Sequence, residues 1–254
     1  MWGLMTVDPR LLEIVADRAW PARQSGALGG WRLNASDGWS LRINACWPLG
    51  EPDRPIDEAI EAAEAFYAAR GLPARFKLSD GAVVPANLSE HLRARGYRPT
   101  HGTLVMVGEA SGMIVGAKDM TVVLSNAPDP AFEAVLTASA AGNAADARER
   151  LDALARIPAP ARFARLDLGG EVAALGATAI DGEWAGIFGM RTLPGHRRKG
   201  LASRILAALL HEARSLGARR AYLQVEADNA PAIALYSGLG FVPAYGYRYW
   251  VVQA

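Results

Sequence analysis

The stretch from Trp184 to Leu206 constrains this chain more than any other. An apolar strand predicted over Ile187–Thr192 meets a turn opened by Pro194 and Gly195, and a basic loop, Arg197-Arg198-Lys199-Gly200-Leu201-Ala202, runs straight into a helix. That helix carries Leu201, Ile205, Leu206, Leu209, Leu210, Ala213 and Leu216, a spacing that predicts one packed stripe. The first turn of a helix has amide hydrogens with no partner inside the helix, and the aligned peptide dipoles leave that end partly positive. Gly200 and the small Ala202 let the backbone come close to a phosphate, and Arg197, Arg198 and Lys199 add formal charge. The loop is suited to a polyphosphate. It is neither of the two better-known phosphate loops, because Lys199-Gly200 reverses the Gly-Lys order of the nucleoside-triphosphate loop and no G-x-G-x-x-G follows the strand.

What stands here is R-x-x-G-x-A. After a second predicted strand, Arg220–Val225, comes Asn229-Ala230-Pro231-Ala232-Ile233-Ala234-Leu235-Tyr236-Ser237-Gly238-Leu239-Gly240-Phe241. In this order and spacing the two segments resemble the GNAT superfamily of acyl-CoA-dependent N-acetyltransferases, with its R/Q-x-x-G-x-G/A loop and its N-x-x-A-x-x-L-Y-x-x-x-G-F segment. Ala202 replaces the commoner glycine. The resemblance implies an acetyl-CoA-dependent N-acetyltransferase in which Arg197, Arg198, Lys199, Gly200, Leu201 and Ala202 hold the pyrophosphate of CoA. It also implies that Met190, Arg191 and Thr192, at the end of the preceding strand, bind the pantetheine arm and polarise the thioester carbonyl through their backbone. Asn229 matches a residue that contacts the cofactor arm, and it is equally suited to be the N-cap of the next helix. Tyr236 matches the tyrosine that protonates the leaving thiolate, a task open to a phenol with an ordinary pKa near 10; a stacking tyrosine is the simpler alternative.

The base that relieves the amine of its proton stays open between Glu226, Glu183 and an ordered water, and His196 either caps the turn or touches phosphate. No His and carboxylate pattern at metal spacing occurs, so no metal is expected. The acceptor, a small-molecule or peptide amine, is not legible. Two rivals remain: an acyl-CoA-binding sensor or regulatory module without turnover, and a nucleotide-binding module using the basic loop.

A net charge of +1 over 254 residues argues against a nucleic-acid surface, and no apolar run is long enough for a membrane span. A lone Cys46 excludes an internal disulfide, and with a start lacking a basic leader region it predicts a cytoplasmic protein in which Cys46 is a small buried residue. A helix is expected over residues 8–20, with Leu11, Leu12, Val15 and Ala19 inward. Residues 29–33 and 39–43 read as a hairpin around Asp37-Gly38, and residues 56–70 as an amphipathic helix.

Residues 74–107 echo residues 219–252. Asn87 aligns with Asn229, Leu92 with Leu235, Gly96-Tyr97 with Gly240-Phe241, and Pro99 with Pro243. The echo predicts two copies of one α/β fold with mixed sheets, residues 1–110 and 119–254, joined by the glycine-rich segment 108–118. In the first copy Trp47-Pro48-Leu49-Gly50-Glu51-Pro52-Asp53-Arg54-Pro55 replaces the basic loop. Prolines delete amide donors and acids repel phosphate, so this half is expected not to bind CoA.

Overall fold

The computed structural model describes residues 7–100, 102–113, 119, 121–138 and 143–252. The chain divides into two compact units. Of the described residues, one unit comprises those up to Leu104, Glu226–Asp228 and those from Tyr245 onward, and the other comprises those within Val105–Val225 and Asn229–Ala244.

The first unit opens with α1 (Pro9–Ala19), capped by Asp8, which accepts from the Arg10 amide at 2.9 Å. Leu12, Val15 and Ala19 are buried as expected, but Leu11 is 62% exposed. The inward face is completed by Ala16, Glu13 and Asp17, two acids that an apolar count cannot place inside. The hairpin is also not where the sequence suggested. Strands β1 (Gln24–Leu28) and β2 (Trp31–Ala35) pair antiparallel across Gly29-Gly30, whereas Leu41–Ile43 is a 3-10 turn. Around Asp37-Gly38 the amides of Ser36 and Gly38 donate to Asn44 Oδ1 at 2.8 and 3.0 Å, so a side chain takes the bonds that a second strand would have used.

Next come β3 (Cys46–Pro48), α2 (Ile56–Ala68), β4 (Phe76–Ser79), α3 (Leu88–Ala94), β5 (Tyr97–Pro99), β6 (Thr103–Glu109) and the single turn α4 (Ala110–Met113). The glycine-rich joint thus begins as strand and helix, and residues 114–118 lie outside the described ones. The other unit adds β7 (Val122–Ser125), α5 (Pro130–Ala138), α6 (Ala144–Ala155), β8 (Ala161–Leu168), β9 (Glu171–Asp181), β10 (Trp184–Thr192), α7 (Leu201–Ser215), β11 (Arg220–Glu226) and α8 (Ala230–Gly238). Asn143 caps α6, and residues 139–142 lie outside the described ones. The last strand, β12 (Val242–Val252), pairs antiparallel with β4 from Tyr247 to Trp250.

Both units share one pairing pattern. In the first, β1, β2 and β3 are antiparallel neighbours, and β3 runs parallel to β4 after the crossover helix α2. In the second, β8, β9 and β10 are antiparallel, β7 flanks β8, and β10 runs parallel to β11 after α7. Gly96 and Gly240, aligned in the repeat, both adopt positive φ (87° and 95°) at the ends of their helices, a conformation open to glycine without strain. The aromatic residues that follow, Tyr97 and Phe241, are both buried. The fold is two tandem copies of a mixed α/β architecture.

The core of the first unit is partly polar. Lys77 is buried with its Nζ paired to buried Glu13, and that nitrogen lies 3.7 Å from the Trp47 ring centre and 4.0 Å from that of Tyr247. The other Glu13 oxygen accepts from Tyr245 Oη at 2.8 Å. An ammonium out of water is tolerable only with such counter-charge and ring faces around it. No helix of the described residues is long and apolar enough to cross a membrane.

Candidate active site

The site is built on the parallel pair of the second unit. Their ladder runs from Trp184↔Arg220 to Ile187↔Leu223 and ends there, although β10 continues to Thr192 and β11 to Glu226. On its other edge β10 stays paired with β9, but the register shifts between Phe188 and Arg191. Phe188 pairs with Ala177 and Arg191 with Leu175, so Gly189 and Met190 together oppose the single residue Gly176. This is a β-bulge with its first residue, Gly189, in the left-handed region at φ 62°. A bulge bends its strand, which carries Met190, Arg191 and Thr192 past the point where β11 leaves.

A 3-10 turn, Pro194–His196, leads from β10 into the basic loop. The N-cap of α7 is Gly200 at φ 74°, with no side-chain cap and no acid in the first turn. By contrast, the N-termini of α1, α6 and α8 are capped by Asp8, Asn143 and Asn229. Gly200 and Gly195 have open space where a Cβ would stand. Arg197, Arg198 and Lys199 are exposed, Arg197 Nε lying 3.4 Å from the Thr192 carbonyl. Leu201 sends its side chain into the core with Ile205, Leu206, Leu209, Leu210 and Ala213, leaving only its amide for an anion; Leu216, counted in the stripe, is the C-cap and 36% exposed. Uncapped amides, a left-handed glycine and three cations fit a pyrophosphate.

On α8 no residue is fully buried. Asn229 makes the cap, its Oδ1 accepting from Ala232 N at 3.2 Å. Tyr236 is half-buried and packs edge-on against Phe241 at 6.1 Å. Burial pushes its phenol above the usual value, and the positive charge of Arg191 acts in the opposite direction. The phenol is therefore a proton donor at neutral pH.

His196 Nε2 meets Glu171 Oε1 at 2.6 Å. Glu183, considered as a base, precedes β10 at its opposite end, about 25–30 Å of strand from Thr192, and lies 3.6 Å from Arg220. Glu226 closes β11 at the same end as the loop. Cys46 is fully buried, and that burial raises its thiol pKa, which leaves it inert. Among the described residues there is no group of three His, Cys, Asp or Glu side chains that could hold a metal. Sequence reasoning missed Gly176 and Glu171, since their roles are cross-strand. Gly189 inside a strand was a signal for the bulge.

Comparison with known proteins agrees with this geometry. The family model described as probable histone acetyltransferase Rv0428c C-terminal matches residues 6–250, nearly the whole chain, which therefore belongs to that family. The N-acetyltransferase YobR of Bacillus subtilis (strain 168) is 25% identical over 245 residues, covering 95% of this chain and 98% of its own. The chain is a GCN5-related N-acetyltransferase. Its fold is that of the GCN5-related N-acetyltransferase from Kribbella flavida, with a TM-score of 0.72 at 17% identity over 99% of this chain and 97% of that one. The tandem GNAT protein from the clavulanic acid biosynthesis pathway shares it at a TM-score of 0.60 and 17% identity, over 94% of this chain and 86% of its own. The two-copy GNAT architecture thus spans the chain from end to end.

Proposed function

We propose that this acetyltransferase uses its second unit to move the acetyl group of acetyl-CoA onto a primary amine, by direct attack of the amine on the thioester. The observation that carries the reading is the juxtaposition, on one strand and one helix, of an unpaired bulged edge at 188–192 and an uncapped helix end at Gly200. Acetyl-CoA supplies the activated acetyl thioester. The cations Arg197, Arg198 and Lys199, with the amides of Gly200, Leu201 and Ala202, hold its pyrophosphate. The backbone of Met190, Arg191 and Thr192 aligns the pantetheine arm and polarises the carbonyl, and Asn229 flanks that arm. As the amine nitrogen bonds to the carbonyl carbon and the carbon–sulfur bond breaks, Tyr236 Oη gives its proton to the departing sulfur. The amine's proton passes to water, from which the phenol is recharged. The first unit, lacking such a loop, takes no CoA and serves as scaffold.

Calorimetric titration with acetyl-CoA tests the reading. Micromolar binding by the wild type, lost in an Arg197→Glu, Lys199→Glu variant that keeps its melting temperature, is the expected result. A wild type that releases no heat with acetyl-CoA or CoA, and is not stabilised by either, overturns it.

A further inference from the structure

The bulge in β10 is held by a contact that no motif announces. Opposite Gly189 and Met190 stands Gly176 on β9, and a Cβ built there would lie 2.4 Å from Met190 Sδ, 3.1 Å from Ile205 Cγ2 and 3.3 Å from Leu209 Cδ1. The Met190 thioether therefore crosses β9 through the gap left by a missing side chain, on the face covered by α7. Ile205 and Leu209 belong to the buried stripe of α7, the helix whose first turn forms the phosphate loop. The side chain of Met190, on the bulge, thus meets the buried stripe of the helix whose N-terminus is uncapped.

We infer that Gly176 is a positioning residue for acyl transfer: by admitting Met190 between β9 and α7 it fixes the bulged edge of β10 relative to the helix N-terminus. The inference rests on the proposed use of that edge and that helix end. A co-substrate held at its pyrophosphate by one and at its carbonyl by the other requires both in fixed register. A displacement of about 1 Å at the reacting carbonyl costs on the order of a hundredfold in rate while leaving the more distant phosphate contacts intact. In Gly176→Ala the new methyl group takes the space of the Met190 sulfur. The half-buried methionine then swings out of the gap, and the bulge loses its hold on α7. Met190→Ala removes the same contact from the other side, so the two changes act through one interaction.

The test is NMR of acetyl-CoA isotopically labelled at the carbonyl carbon, bound to wild type and variants, with calorimetry and thermal melting alongside. In the wild type, donors on the bulged edge move the bound carbonyl resonance downfield of the free one. Gly176→Ala is expected to bind acetyl-CoA within about threefold of wild type, since the phosphate contacts remain, yet to lose that shift, with the rate of CoA release in any amine assay falling on the order of a hundredfold. Adding Met190→Ala is expected to lower the rate no further, because both changes break one contact. A Gly176→Ala protein with the wild-type carbonyl shift overturns the inference, as does a double variant in which the two losses of rate add. Should Gly176→Ala fail to fold, Met190→Ala alone must lose the shift, and its retention is equally fatal. A wild type that does not bind acetyl-CoA removes the proposed function first, and is recognised by the absence of any bound resonance.

Discussion

The same pair of parallel strands ends in two ways in this molecule. In the second unit the β10–β11 ladder stops at Ile187↔Leu223, and the strands run on with a bulge and an uncapped helix beside them. In the first unit β3 and β4 pair only at Cys46↔Phe76, and the chain then returns to close the gap. Val84 N donates to the Pro48 carbonyl at 2.9 Å, and Leu49 bridges Val84. Beyond that pair, Lys77 Nζ lies over the ring of Trp47.

The loops that follow have one length but opposite character. Gly50 stands six residues before Ile56, as Gly195 stands six before Leu201 (56 − 50 and 201 − 195). Pro55 is the N-cap of α2, with Asp57 and Glu58 in its first turn, where α7 has Gly200 and no acid. Even the hairpin turns diverge. A Cβ on Gly29 or Gly30 would strike the loop, 2.5 Å from Asp53 N or from Gly50 Cα, whereas one on Gly169 or Gly170 would meet nothing within 4 Å. Opening or closing such a site takes local changes of charge, proline and packing; the scaffold stays the same.

The largest effect should come from moving one loop onto the other. Carrying residues 51–54 into the second unit (His196→Glu, Arg197→Pro, Arg198→Asp, Lys199→Arg), with Gly200 kept because its φ of 74° excludes proline, should abolish acetyl-CoA binding by calorimetry with the fold intact by circular dichroism. Retained binding would break the comparison at its main point. Next, Lys77→Met strands Glu13 in the core of the first unit and should cost about 3–5 kcal/mol in denaturant unfolding, with acetyl-CoA affinity unchanged. Adding Glu13→Gln should recover most of that loss. A loss below about 1 kcal/mol, the scale of an exposed pair, would show that the buried pair does not hold this core together. Smallest in free energy, Tyr236→Phe should lower kcat about a hundredfold at constant Kd. Because burial raises the phenol and its protonated form is the acid, the wild-type alkaline decline should begin only above its ordinary value of about pH 10, and the phenylalanine variant should lack that limb.

The loop and the segment around Tyr236 were legible because they are local: residue types at fixed spacings on one strand, one turn and one helix. The tandem repeat was legible for the same reason, through Asn87, Gly96 and Pro99 against Asn229, Gly240 and Pro243. What failed required knowledge of neighbours. Asp37-Gly38 and Gly29-Gly30 both suit a turn, and the Asn44 side chain decides between them. The inward face of α1 includes Glu13 and Asp17 in place of Leu11, because their partners come from elsewhere in the chain. Glu183 was a plausible base until the direction of β10 set it at the wrong end. Met190 and Gly176 meet only across a ladder whose register no spacing rule provides.

The buried ammonium of Lys77 has a consequence for the cell. A half that carries its own counter-ion by covalent connection folds to the same depth whatever metabolites surround it. A half whose helix end waits for an external anion gains stability as RT ln(1 + [L]/Kd) with the supply of that ligand. On the proposed binding of acetyl-CoA, the stability of the second unit then tracks the supply of its ligand while that of the first does not.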